Sequence, residues 1–389
     1  MSSIHSIVGR LTCGKGRRGP WRHYESRIGK VSRSLRQCEP DFLVISAPQT
    51  GGPWLRENLV RHDEIFIPQD EQDYFCTFWR WRDVNAYLGE FAALPHKRKG
   101  DVGASYAILP PFAIRTIRRL LGECRLVFLM REPQARAWAH IRHDYRYRLG
   151  AFSSCGGEEA ISLAHLTESG WMDYYLSFSD YAAVLERWLQ CFRPSSFCID
   201  FTERSVESPQ DVLTDVFRHL DVRTDVDFTF FPLHQRVLTG DQMEMPSDIG
   251  DFLRRSLTKP VSYLDDLLRR HFSLGVPAKW GWQVEPAAGR PSEQDDHDLT
   301  ALLDRQFKHS HMPRLIEQQY LGFNIVMHRG RAHAISCGGA VDLQSAPAGE
   351  LRRLLTLGQY LVADSPRELK ALIHQQARYA CMDQVGRSA

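Results

Sequence analysis

The stretch Ala47-Pro48-Gln49-Thr50-Gly51-Gly52-Pro53-Trp54 follows an apolar run, Phe42-Leu43-Val44-Ile45, and precedes Leu55, Leu59 and Val60 at helical spacing. A glycine-rich turn between a buried strand and a helix gathers backbone N–H groups at the positive end of the helix dipole, which is the chemistry of an anion cradle. The stretch matches neither G-x-x-x-x-G-K-[ST] nor G-x-G-x-x-G, so an ordinary nucleotidase P-loop and a dinucleotide fingerprint are both disfavoured. Arg131 follows a second apolar run, Leu126-Val127-Phe128-Leu129-Met130. It stands at the end of a buried strand, where α/β folds place ligand contacts, and its guanidinium suits a phosphate. Glu71 lies in an acidic group with Asp70 and Asp73. Crowded carboxylates raise one another's pKa, which favours a general base. Trp79-Arg80-Trp81-Arg82 alternates rings and cations, and a sugar or aromatic acceptor can stack on such rings. His140 and His143 share a helix face with no third ligand in view, so no metal site is expected.

These residues need elements to position them. The spacing predicts strands over 41–46, 125–130 and 197–201, each a short apolar run bounded by turn residues. It predicts helices after Pro53, over 112–121, 135–148, 179–193 and 209–220, and a helical stretch over 246–274 broken in two at Pro260. Helix followed by apolar strand, twice over, argues for a parallel sheet with crossover helices. Residues 284–298 are polar and read as linker. Residues 323–328 and 331–336 flank Arg329-Gly330 and read as a hairpin. A short strand at 360–363 and a helix over 366–374 opened by Ser365 complete the pattern.

The chain of 389 residues has 43% hydrophobic and 25% charged residues and a net charge of +2. That composition is globular and excludes a chain-wide polyanion-binding field. With no recognised nucleic-acid motif, nucleic-acid binding is not supported. No run approaches the roughly 18 apolar residues of a membrane span. Nine cysteines without a C-x-x-C pair argue against a zinc ribbon, a redox motif or a secreted disulfide scaffold. Residues 1–37 carry nine Lys or Arg against one acid, Glu25, and lack the apolar stretch of a secretory signal. A cytoplasmic protein in a bacterium-like setting is expected. Four regions follow: a basic N-terminal tail (1–39), the main domain (40–283), a linker (284–312) and a small α+β module (313–389).

Several segments, in order, resemble the sulfotransferases that use 3′-phosphoadenosine 5′-phosphosulfate (PAPS). Pro48–Leu55 followed by Ile65-Phe66-Ile67-Pro68 is similar to the family's Pro-Lys-x-Gly-Thr-Thr-x-Leu loop and aromatic–Pro step. Arg131-Glu132-Pro133-Gln134-Ala135-Arg136-Ala137-Trp138-Ala139-His140 is similar to its Arg-Asp-Pro-x-x-Arg-Ala-x-Ser-x segment. Residues 70–75 resemble the Glu-x-His-aromatic-Phe segment of heparan-type and bacterial members. Gly103–Tyr106 with Leu109-Pro110, the helix at 179–192, and Glu203 with Ser208-Pro209 resemble further pieces. The likeness spans residues 40–275.

The resemblance implies an α/β, P-loop-like three-layer fold with a central parallel sheet, carrying the small α+β module. It implies transfer of a sulfuryl group from PAPS to a hydroxyl or amine of a glycan, lipid or small metabolite. Pro48, Gln49, Thr50, Gly51, Gly52, Pro53 and Trp54 would wrap the phosphosulfate, and Arg131 and Ala139 would lie at the 3′-phosphate. Glu71 would be the base, and Ser105, Tyr106, Trp79 and Trp81 the acceptor pocket. The sequence departs from the pattern at the chemistry. Gln49 stands where the family has its Lys, Gly52 and Pro53 where it has Thr, and Ala139 where it has Ser. An altered member that binds another ligand or acts as a scaffold is the alternative. The module also resembles one appended to some bacterial glycosyl- and sulfotransferases. Glycosyl transfer would require nucleotide-sugar binding, for which no acidic metal-binding motif is seen.

Overall fold

A computed structural model describes residues 21, 23–68, 73–77, 79, 82–92, 94, 96–145, 161–235, 243–285, 299–303, 314–328, 331–336, 353–357, 359–363 and 367–376. The elements up to the linker run α1 (Tyr24–Ile28), β1 (Phe42–Val44), α2 (Gly52–Leu59), β2 (Ile65–Phe66), α3 (Val84–Gly89), β3 (Arg98–Val102), α4 (Pro111–Leu121), β4 (Arg125–Met130) and α5 (Pro133–Asp144). They continue with α6 (Leu163–Glu168), α7 (Trp171–Ser179), α8 (Tyr181–Leu189), β5 (Phe197–Phe201), α9 (Thr202–Glu207), α10 (Pro209–Leu220) and α11 (Ser247–Phe272).

The first five strands form one sheet in the order β2-β3-β1-β4-β5, every pair parallel. The expected α/β class with a central parallel sheet is what the chain adopts. β1 and β4 are apolar because helices cover both faces. Leu43, Leu126 and Phe128 point into one apolar cluster with α4, α7, α8 and α11. Phe42, Val44, Val127 and Leu129 point into a second cluster with α2 and α10. The chain leaves β1 toward β3 and β2 and later returns to β4 on β1's other side. The carboxyl ends of β1 and β4 therefore flank a topological switch point, where open α/β sheets form a crevice.

β3 escapes the sequence pattern because Arg98-Lys99-Gly100-Asp101-Val102 is mostly polar. Tertiary partners hold its polar side chains. Asp101 Oδ2 accepts from the hydroxyls of Tyr87 (2.6 Å) and Tyr106 (2.7 Å). Lys99 Nζ donates to Gln37 O at 2.9 Å. Gly100 is fixed by close approach, since a Cβ there would lie 2.0 Å from Phe42 Cζ.

Two other expectations change. The helix read as broken at Pro260 is continuous from Ser247 to Phe272. An interior proline costs about 3 kcal/mol, but a buried face that includes Ile249, Leu253, Leu257, Val261, Leu264 and Leu268 holds the helix on the core. The basic stretch read as a tail is folded in its described part. Trp21, Tyr24 and Ile28 belong to the main core, and Trp21 packs edge-on to Phe112 of α4.

A separate antiparallel sheet, β6 (Arg314–Tyr320), β7 (Phe323–His328), β8 (Arg331–Ser336) and β9 (Tyr360–Ala363), runs in sequential order. The hairpin pairs Phe323 with Ser336 and His328 with Arg331. Residues 367–376 form a helix whose Leu369 and Ile373 pack with Ile325, Ala332 and Ala334.

Candidate functional site

The loop after β1 enters the crevice between β1 and β4. Gly51 is left-handed (φ 95°) and caps α2, a conformation glycine adopts without steric cost. Gln49 is also left-handed (φ 70°), which costs a residue with a Cβ about 1–2 kcal/mol. A Cβ on Gly52 would meet no heavy atom within 4 Å.

The loop's backbone groups are sharply asymmetric. The carbonyls of five successive residues all accept hydrogen bonds. Ala47 O takes Thr50 Oγ1 at 2.7 Å. Pro48 O takes Arg136 Nη1 at 3.2 Å, and Gln49 O takes Arg131 Nη1 at 3.2 Å. Thr50 O takes Thr202 Oγ1 at 2.6 Å, and Gly51 O takes Leu55 N at 3.0 Å. The amides of Gln49, Gly51, Gly52 and Trp54, by contrast, donate to no group among the described residues. In a trans peptide the C=O and the next N–H point in opposite directions, so holding the carbonyls turns the following amides away from their holders. Successive free amides with alternating left-handed residues form an anion-binding concavity.

Arg131 leaves the end of β4 half-buried. Its backbone is fixed by Tyr181, whose hydroxyl donates to Arg131 O at 3.0 Å and accepts from Arg131 N at 3.3 Å. Beyond the bond to Gln49 O, its guanidinium donates to no other group among the described residues. Glu132 caps α5 through Gln134 N and Ala135 N and accepts from Trp282 Nε1 at 2.7 Å. Glu203 Oε1 accepts from Glu132 N at 3.0 Å and holds the same turn.

Arg136 lies one turn further along α5 and is fully buried, with no ion pair to a carboxylate among the described residues. Nε donates to Ser179 Oγ (2.7 Å), Nη2 to Tyr175 O (2.6 Å), and Nη1 also meets His140 Nδ1 (3.2 Å). Burial lowers its pKa to about 10, so it stays cationic at neutral pH. Sequence reasoning gives Arg136 no contact with the loop. The signal was present: an arginine on an apolar helix face, between Pro133 and His140.

The other predicted residues separate. Trp54 Nε1 donates to Leu233 O at 2.8 Å, which ties α2 to the segment after α10. Ala139 is buried on α5 and offers only a methyl group. Trp79 is 1% exposed and packs on Trp21 and Tyr24, so no acceptor can stack on it. Tyr106 is 0% exposed, its ring covers Gly103, and its hydroxyl is spent on Asp101. Burial, then the Asp101 charge, push that phenol well above its ordinary pKa. Ser105 is buried beside it. Neither belongs to an open acceptor pocket. Glu71 and Trp81 lie outside the described residues. No helix among the described residues is long and apolar enough to cross a membrane.

No protein-family model matches the chain, and no curated protein matches it in sequence. Solved structures do. A sulfotransferase from Alicyclobacillus acidocaldarius aligns with a TM-score of 0.50 over 62% of this chain and 99% of its own, at 20% identity. Mouse sulfotransferase SULT7A1 complexed with PAP aligns at 0.36 over 62% and 71%, with 13% identity. The sulfotransferase domain from the Curacin biosynthetic pathway aligns at 0.36 over 69% and 97%, with 15% identity. With its five parallel strands, its switch point and its free-amide loop, this chain has the sulfotransferase fold.

Proposed function

We propose that the protein is a PAPS-dependent sulfotransferase acting on a hydroxyl or amine of a glycan, lipid or small metabolite. The observation that carries the reading is the loop from Pro48 to Trp54, with the amides of Gln49, Gly51, Gly52 and Trp54 free among the described residues and its carbonyls held, at the switch point beside Arg131. Those amides suit a phosphosulfate, and the free donors of Arg131 suit a 3′-phosphate. Pro48 and Pro53 shape the loop, and Pro53 is tolerated at the helix start because that amide has no helical partner anyway. Bound PAPS would supply an activated sulfuryl group. The chain's part is to orient that group, to hold the charge that gathers on the leaving phosphate, and to take the acceptor's proton, a role we assign to Glu71. The protein is proposed to work in the cytoplasm.

The test is calorimetric titration with adenosine 3′,5′-bisphosphate. Binding in the micromolar range is expected, and Arg131→Ala should weaken it about 10–100-fold, the range for a hydrogen bond to a charged group. Absence of binding up to millimolar ligand removes PAPS as the donor. A second reading, a binding or scaffolding protein on the same fold, draws on the neutral side chain at Gln49 and the methyl group at Ala139. It predicts no consumption of PAPS in any acceptor screen, whether or not the bisphosphate binds.

A further inference from the structure

Three consecutive loop carbonyls are held by three side chains from elements outside the loop. Arg136 of α5 takes Pro48 O, Arg131 takes Gln49 O, and Thr202 of α9 takes Thr50 O. The Thr202 hydroxyl also lies 3.2 Å from Met130 O, at the end of β4. One hydroxyl thus spans the mouth of the crevice, from the loop after β1 to the strand that carries Arg131. Arg136 brings the second bond and a full positive charge. It is anchored on three further sides by Ser179, Tyr175 and His140, so its Nη1 cannot turn aside without breaking other bonds.

We propose that Thr202 and Arg136 are positioning residues for anion binding. By holding Thr50 O and Pro48 O they keep the amides of Gly51 and Gln49 turned outward. Arg136 also places behind the loop the positive charge that the Gln49 side chain lacks. The inference rests on the proposed anion-binding role of this loop but does not require that the anion be PAPS. The peptide dipoles carry the effect: each carbonyl fixed on a cationic or hydroxyl donor is polarised, and the attached N–H becomes a better donor to an anion on the far side.

The experiment compares wild type with Thr202→Val, Thr202→Ser, Arg136→Lys and Arg136→Met. Each is titrated with inorganic pyrophosphate and, separately, with adenosine 3′,5′-bisphosphate, and each melting temperature is recorded. Thr202→Val should weaken pyrophosphate binding about tenfold, the scale of one hydrogen bond. Thr202→Ser should restore it, because the hydroxyl returns. Arg136→Lys should bind more weakly than wild type and more tightly than Arg136→Met. A merely structural role would lower the melting temperature of Thr202→Val and leave the affinity of the folded protein unchanged; that outcome overturns the proposal. So does a wild-type protein that binds neither anion. If wild type binds pyrophosphate but not the bisphosphate, and Thr202→Val weakens it, the positioning role stands and the PAPS reading fails. Should the Arg136 variants fail to fold, the Thr202 pair decides alone.

Discussion

At the scale of single residues, the loop's anion chemistry belongs to its backbone, and the side chain at position 49 is a separate variable. The Gln49 amide makes no hydrogen bond among the described residues, and its backbone already holds the left-handed conformation a replacement must adopt. Gln49→Lys therefore adds a charge beside the free amides without demanding a new loop shape. If the protein transfers a sulfuryl group, this substitution should raise turnover toward the 10²–10³-fold that one transition-state donor contributes. A single-turnover assay with PAPS reads it, and an unchanged rate would mean that the side chain at 49 does not reach the leaving oxygen. Side-chain identity made the loop and Arg131 legible in the sequence. It misled at Trp79, because alternation of rings and cations does not say whether a ring faces solvent or core. Burial decides that, and burial comes from Trp21 and Tyr24, more than fifty residues earlier in the chain.

At the scale of elements, the strands read correctly were those that are themselves mostly apolar. β1, β4 and β5 announce themselves as short hydrophobic runs. β3 does not, because its polar residues are held by partners that only the fold brings together. Gly100→Ala tests this tight joint. Its Cβ would overlap the Phe42 ring, so β1 and β3 must move apart or the ring must leave its place. A loss of ~1–3 kcal/mol in denaturant unfolding is expected for such overpacking. The end of α10 carries a second testable feature. A histidine near a helix C-terminus is usually favoured as a cation, yet burial, and then the Arg125 charge, depress the His219 pKa to about 4. The folded chain keeps this ring neutral while the unfolded chain protonates it near 6.5, so the unfolded state binds the extra proton between those values. Stability at this site is complete above pH 6.5 and is lost as pH falls toward 4. His219→Leu should flatten that part of a melting-temperature profile, and an unchanged slope would assign the loss to other groups.

At the scale of the whole molecule, strand order made the site readable. A crevice at the carboxyl ends of β1 and β4 follows from the chain's reversal around β1, whatever residues line it. The C-terminal sheet follows a different logic. Among the described residues, its apolar clusters, built around Ile325 and Val326, include none from the parallel-sheet part of the chain. Two cores that share no side chains should melt separately. Calorimetry is expected to show two transitions, with the larger one raised by adenosine 3′,5′-bisphosphate and the smaller one unmoved. One cooperative transition would mean that the two sheets unfold as a unit. The hairpin of this module was readable from alternation alone, whereas β6, which pairs with an offset between Leu315 and Glu317, was not.

The carbonyl clamps have a consequence for how such a loop changes over generations. A loop held through its main chain by Arg131, Arg136 and Thr202 places little demand on its own side chains, apart from the left-handed turn at Gly51 and the Thr50 hydroxyl on Ala47 O. Mutation can rewrite the other letters between Pro48 and Trp54 while the shape persists. The durable signature of this site is therefore discontinuous: two arginines five apart after one strand, and a hydroxyl at the end of the next.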